Sequence, residues 1–166
     1  MLNRRPKKTK FLKYQKGRLN YNLPIKEENK KENQKDLKYV LIACEPYRLT
    51  ASHIYAGELA IKRSLKKAIE SGDAARWNIR GKLEIKVFPH IPVTKKPAEV
   101  RMGKGKGSID YWMTRIKVGS PIFELNFQNK KNTNKSIENR CYNIAKSALK
   151  IASSKLPIKT NIVSNI

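Results

Sequence analysis

Residues 108–127 read S-I-D-Y-W-M-T-R-I-K-V-G-S-P-I-F-E-L-N-F, and the architecture follows from how this stretch is divided. Ser108–Val118 and Ile122–Phe127 are rich in β-branched and aromatic residues, which predicts two strands. Gly119-Ser120-Pro121 between them predicts a hairpin turn. Upstream, Gly81–Phe88 alternates with Leu83, Ile85 and Val87 on one face, a half-buried strand ended by Pro89 and Pro92. Tyr39–Cys44 is apolar enough for a buried strand, and Ile158–Val163 supplies the last one. Two helical stripes separate these runs. Thr50 or Ser52 caps the first helix, which points Ile54, Gly57, Ile61, Leu65 and Ala68 inward and runs to about Ser71, with Gly72 as its stop. Ser136 starts the second, with Ile137, Cys141, Ile144/Ala145, Ala148 and Ala152 inward and an end before Leu156-Pro157. The expected fold is α+β: a two-layer sandwich of two helices on a mixed or antiparallel sheet, with a basic N-terminal extension. Residues 1–36 form the tail and a charged loop, and residues 37–166 form one domain with a long loop at 93–107.

Charge narrows the partner. The chain carries 37 Lys+Arg against 13 Asp+Glu, a formal net charge of +24 in 166 residues. Like charge at that density opposes the compact state unless a polyanion neutralises it. The longest apolar run, Tyr39–Cys44, is far short of the roughly 20 residues a membrane-crossing helix needs. Nucleic acid is therefore the expected partner. Cys44 and Cys141 lie far apart among apolar neighbours and read as buried thiols in a reducing setting. His53 and His90 are equally isolated, so neither a metal nor another cofactor is expected. No carboxylate pair, Cys–His pair or Ser–His–Asp set appears in local spacing, which argues against an enzyme.

Residues 1–18 hold eight Lys/Arg (Arg4, Arg5, Lys7, Lys8, Lys10, Lys13, Lys16 and Arg18) and no acid. Phe11 and Tyr14 interleave them. That pattern suits a tail that follows phosphates and stacks on bases. A mitochondrial targeting peptide is the competing reading, opposed by Pro6 and the lysine density. Lys26–Lys38 mixes both signs and should be solvated. The helix lysines Lys62, Lys66 and Lys67 lie off the inward stripe, as either a solvated face or a phosphate contact.

Val100–Gly107 reads V-R-M-G-K-G-K-G. Gly103, Gly105 and Gly107 permit positive φ and close backbone approach. Lys104 and Lys106 add ammonium groups, and Arg101 adds a fork suited to phosphate. The spacing fits neither a P-loop nor a dinucleotide fingerprint. Polynucleotide contact is the favoured reading over a plain flexible loop.

Several segments in sequence carry a family resemblance: Pro6–Arg18 (P-K-K-T-K-F-L-K-Y-Q-K-G-R), Arg48–Ala51 (R-L-T-A), Gly81–Pro89, Pro92–Gly107 (P-V-T-K-K-P-A-E-V-R-M-G-K-G-K-G), Tyr111-Trp112 and Lys155–Thr160 (K-L-P-I-K-T). The chain resembles the bacterial and organellar form of the large-subunit ribosomal protein sixteen family. That resemblance implies an α+β fold with a hammerhead-like sheet, docked on large-subunit rRNA between the central protuberance and the peptidyl transferase centre. It implies that the loop approaches tRNA in the A and P sites, helping to position tRNA and to complete subunit maturation, beside neighbouring ribosomal proteins and without a homo-oligomer. By match, Arg101, Met102, Gly103, Lys104, Gly105, Lys106 and Gly107 form the loop near tRNA. Arg4, Arg5, Lys7, Lys8, Lys10, Lys13, Lys16, Arg18 and Lys159 would bind rRNA.

Three departures stand out. The Lys/Glu/Asn loop replaces a glycine-rich stretch, Glu84 replaces an expected tryptophan, and the Asn/Lys segment 128–135 is extra. Counts of 27 Lys, 14 Asn and 17 Ile, all with A/T-rich codons, fit a low-GC genome. Together with a family motif starting at residue 6, these features point to an organelle-encoded mitochondrial protein, with a plastid or the bacterial cytoplasm as alternatives. An extra-ribosomal RNA-binding regulator or chaperone is the competing function. It would leave the chain active alone and show a nucleotide sequence preference.

Overall fold

The computed structural model describes residues 5–19, 37–70, 81–127 and 135–165. Among these described residues, seven strands and two helices follow in the order β1 (Leu37–Ala43), β2 (Tyr47–Thr50), α1 (Ala51–Glu70), β3 (Gly81–Ile85), β4 (Ile91–Lys95), β5 (Ser108–Ile116), β6 (Pro121–Phe127), α2 (Lys135–Ser153) and β7 (Thr160–Asn165). The α+β class holds, with the two helices packed together and against antiparallel sheets. One four-stranded sheet runs β3-β6-β1-β7, and a three-stranded sheet runs β2-β5-β4.

The expected hairpin is not one. Residues 117–120 do turn, with Gly119 at φ 78° and the Ser120 N–H bonded to the Lys117 carbonyl at 3.2 Å. Yet β5 pairs with β2 and β4, whereas β6 pairs with β1 and β3. Both strands are central in different sheets, so neither has a free edge for the other. The turn is a crossing point held by β1: Gly119 N–H donates to the Ala43 carbonyl at 2.8 Å, and Ala43 N–H to the Ser120 carbonyl at 3.0 Å.

Two short strands also escaped the pattern reading. β2 runs straight into α1, and Thr50 serves both, accepting from the His53 N–H at 3.3 Å as the helix N-cap. β4 contains Pro92, which was expected to end a strand. β4 lies at a sheet edge, where proline's missing N–H leaves no ladder bond unmade. The long loop therefore begins at 96 rather than 93. The expected stop at Gly72 lies outside the described residues.

The core lies between the four-stranded sheet and the helices, with Leu49 and Ile116 of the other sheet entering it. A bulge in the β1–β6 register, where Leu41 pairs with Phe123 and Ile42 with Pro121, lets consecutive Ile122 and Phe123 both be fully buried. Gly57 sits against Phe123, whose ring would lie 2.8 Å from any added Cβ. Cys141 is buried as expected, and burial pushes its thiol pKa up. Cys44 corrects its expectation: it is exposed, just past the end of β1. Tyr39, also in the core, has its phenol pushed up to about 12, chiefly by burial.

Two acids are buried among the described residues. Glu58 on α1 is met by Lys62 at 2.9 Å, and Glu124 on β6 by Lys86 at 2.8 Å. Lys66 pairs with Glu70 at 3.6 Å, so part of the helix lysine face is already occupied by ion pairs. Glu84, where a tryptophan was expected, lies opposite Glu124 across β3 and β6 and is bridged by Lys82 and Lys86, each at 3.1 Å.

Candidate nucleic-acid interface

The smaller sheet carries the basic tail. Arg48 on β2 and Arg115 on β5 are register partners, so both project from one face. Arg48 Nη2 donates to the Gly17 carbonyl at 2.9 Å. Arg115 Nη2 donates to the carbonyls of Lys16 at 2.8 Å and Gln15 at 3.3 Å. The arginines thus grip the tail's backbone rather than its side chains. Gly17 has φ 62°, and a Cβ there would lie 2.5 Å from the Arg115 guanidinium, so glycine lets the chain settle onto it. Held this way, Arg5, Lys7, Lys8, Lys10, Lys13, Lys16 and Arg18 are all exposed. Phe11 packs edge-on against Tyr14 at 6.1 Å and takes the Lys10 ammonium over its ring at 5.6 Å, yet stays 56% exposed. Arg4 lies outside the described residues.

The glycine loop meets the tail. Lys13 Nζ donates to the Lys106 carbonyl at 2.6 Å, and Lys106 Nζ donates to the Tyr14 carbonyl. Lys96 Nζ closes the loop onto the Gly103 carbonyl at 2.6 Å. The three glycines divide the tasks expected of them. Gly103 and Gly105 adopt φ 104° and 76° in open space, with Lys104 between them also positive at 53°. Gly107 instead supplies close approach: a Cβ there would sit 2.4 Å from the Lys95 carbonyl oxygen. Arg101 and Lys104 are exposed, and Met102 is fully so. Lys106 is exposed too, with its ammonium held by the tail backbone.

Tail and loop thus form one edge with no acid in residues 5–19 or 101–107. Lys159 does not join it. It lies before β7, paired with Glu45 at 3.4 Å. Arg48 and Arg115, which fasten the tail, were not recognised from sequence as interface residues. The signals were the arginine that opens the R-L-T-A motif and the one inside Ser108–Val118, which turn out to lie on adjacent strands. Among the described residues no three or more His, Cys, Asp or Glu side chains gather as a metal site would require. No described helix is long and apolar enough to cross a membrane.

Fold and edge together define a class: a small α+β domain that displays a fastened polycationic tail and loop, a shape suited to a folded polyanion. Residues 6–163 match the ribosomal protein L16p/L10e family. The chain is 38% identical over 159 residues to large ribosomal subunit protein uL16 of Paracoccus denitrificans, covering 96% of this chain and 95% of that protein. It is 40% identical over 161 residues to large ribosomal subunit protein uL16 of Rhodopseudomonas palustris, covering 97% and 96%. The chain belongs to the ribosomal protein L16p/L10e family. Its role is that of a structural component of the large ribosomal subunit in translation, not an enzyme.

Proposed function

We propose that the chain binds large-subunit rRNA through its tail and holds the loop Arg101–Gly107 beside tRNA in the A and P sites, near the peptidyl transferase centre. The observation that carries this reading is the reciprocal pair of bonds between Lys13 and the Lys106 carbonyl and between Lys106 and the Tyr14 carbonyl. Tail and loop are one structural unit, so anchoring the tail on rRNA also orients the loop. The tail cations Arg5, Lys7, Lys8, Lys10, Lys13, Lys16 and Arg18, with Arg4 beyond them, neutralise phosphate. Arg101, Met102 and Lys104 form the outermost part of the loop. Lys159, with 85% of its side chain exposed, makes a separate rRNA contact beyond its ion pair. A home in a mitochondrial ribosome is supported by the Lys/Asn/Ile bias and by the segments that depart from the family pattern.

Ribosomes carrying Arg101→Ala should assemble in normal number but bind A-site tRNA more weakly. Normal A-site binding by such ribosomes would overturn the positioning role. Titration of the purified chain against rRNA should show log affinity falling with log salt by a slope approaching one per phosphate neutralised. A flat salt profile would remove the electrostatic mechanism.

A further inference from the structure

Between the tail and the smaller sheet lies a cavity of about 620 Å³. That volume is well inside the roughly 300–1,000 Å³ range of sites for small organic groups. Three aromatic side chains border it, Tyr14, Tyr47 and Tyr111, and each remains 36–44% exposed. Cations on its wall are Lys16, Arg48 and Lys106, and no acid lines it among the described residues. Two wall residues carry a buried nitrogen with no hydrogen-bond partner among the described residues: Arg48 at Nε and His53 at Nδ1. Among the described residues Arg48 holds the tail through Nη2. Its Nε–H, in the plane of the fork, is the donor a phosphate oxygen would take. A buried polar atom left unpaired is costly, so each of these side chains gains from a small shift that brings its nitrogen to a partner in the adjoining cavity.

An occupant must satisfy these features together. It should be anionic, offer a flat aromatic body to tyrosine faces, and present a polar edge to His53. A carboxylate side chain lacks the flat body. An apolar segment would leave both nitrogens unpaired. We propose that the cavity seats a single unpaired nucleotide of the large-subunit rRNA, its base among the tyrosines and His53 and its phosphate at Arg48. This rests on the rRNA-binding reading above and deepens it. The tail cations supply affinity for the backbone at large, whereas the cavity gives the docked protein a register on one residue of the RNA.

The test reconstitutes large-subunit rRNA with the full chain and reads every nucleotide by chemical probing of base and ribose reactivity. Bulk affinity is measured in parallel by filter retention. Val93→Trp fills the cavity from β4 without changing charge. It should leave bulk affinity within about twofold, while one isolated unpaired nucleotide gains reactivity by roughly tenfold, a loss on the scale of one base stack. Tyr111→Leu and His53→Ala should expose the same nucleotide, which protects the result against a misfolded Val93→Trp. If the wild-type chain binds rRNA but none of the three variants unmasks a nucleotide, the cavity holds no base and the proposal falls alone. If the wild-type chain shows no rRNA retention, the rRNA reading fails first. Unmasking of many scattered nucleotides by every variant would mean general loss of docking and would also overturn the single-base site.

Discussion

At the residue scale, the three glycines of the loop show how one motif serves two physical ends. Gly103 and Gly105 are needed for their dihedral angles, because nothing lies within 4 Å of where a Cβ would stand. An alanine at Gly105 should cost roughly 1–2 kcal/mol of left-handed strain, confined to the loop. Gly107 is needed for space, since an added Cβ would press the Lys95 carbonyl on the adjoining edge strand. Gly107→Ala should therefore destabilise the whole domain, on the order of 1–3 kcal/mol. Thermal melts of the two variants would separate the cases: a lower midpoint for Gly107→Ala, with little change for Gly105→Ala. Equal melts would mean that the loop end moves away from β4 freely. The alternation of glycine and lysine was legible as a close-approach motif. Which glycine does what was not, because that depends on Lys95 arriving from another strand.

At the element scale, the β3–β6 pair sets Glu84 directly opposite Glu124, an arrangement that like charge opposes. Lys86 resolves it by donating to both, at 3.1 and 2.8 Å. Hydrogen bonds from Lys82 and Lys86 hold the Glu84 carboxyl below its ordinary value of 4.5, and the hydrogen bond to Glu124 holds the Lys86 ammonium above its ordinary 10.5. A lowered carboxylate pKa stabilises the fold above the unfolded value and loses that contribution as pH falls through the folded one. A raised lysine pKa stabilises below the unfolded value and loses it as pH rises through the folded one. Lys86→Met should thus destabilise by about 1–2 kcal/mol near neutrality, at the low end because Lys86 is 37% exposed. That deficit should shrink below pH 4.5 as Glu84 takes up its proton. Denaturant midpoints of both proteins across pH would check it, and a deficit constant into acid would rule the network out. The strand itself was legible from its alternation. The role of Glu84 was not, since its partner lies some forty residues along the chain.

For the molecule as a whole, the tail is both a polycation and a lid. It spans the face of the smaller sheet that carries Met113 and Ile91, across the cavity they line, and it is fastened there by Arg48 and Arg115. Removing residues 1–18 should lower incorporation into the large subunit and also lower the melting midpoint, because apolar surface is uncovered. Replacing Lys7, Lys8 and Lys10 by glutamine should weaken rRNA binding and flatten its salt dependence while leaving the melt unchanged. If truncation and neutralisation gave the same melting behaviour, the tail would contribute charge alone.

The α+β class, the two amphipathic helices, the polyanionic nature of the partner and the family could all be read from residue order, since periodicity, net charge and contiguous motifs are properties of the chain taken in line. Folding in three dimensions parts β5 and β6 into different sheets, puts Pro92 in an edge strand, turns Cys44 outward and bonds tail to loop. Each of those depends on backbone groups or side chains far apart in sequence competing for one partner, and strand periodicity is blind to which edge a strand's N–H and C=O groups will find.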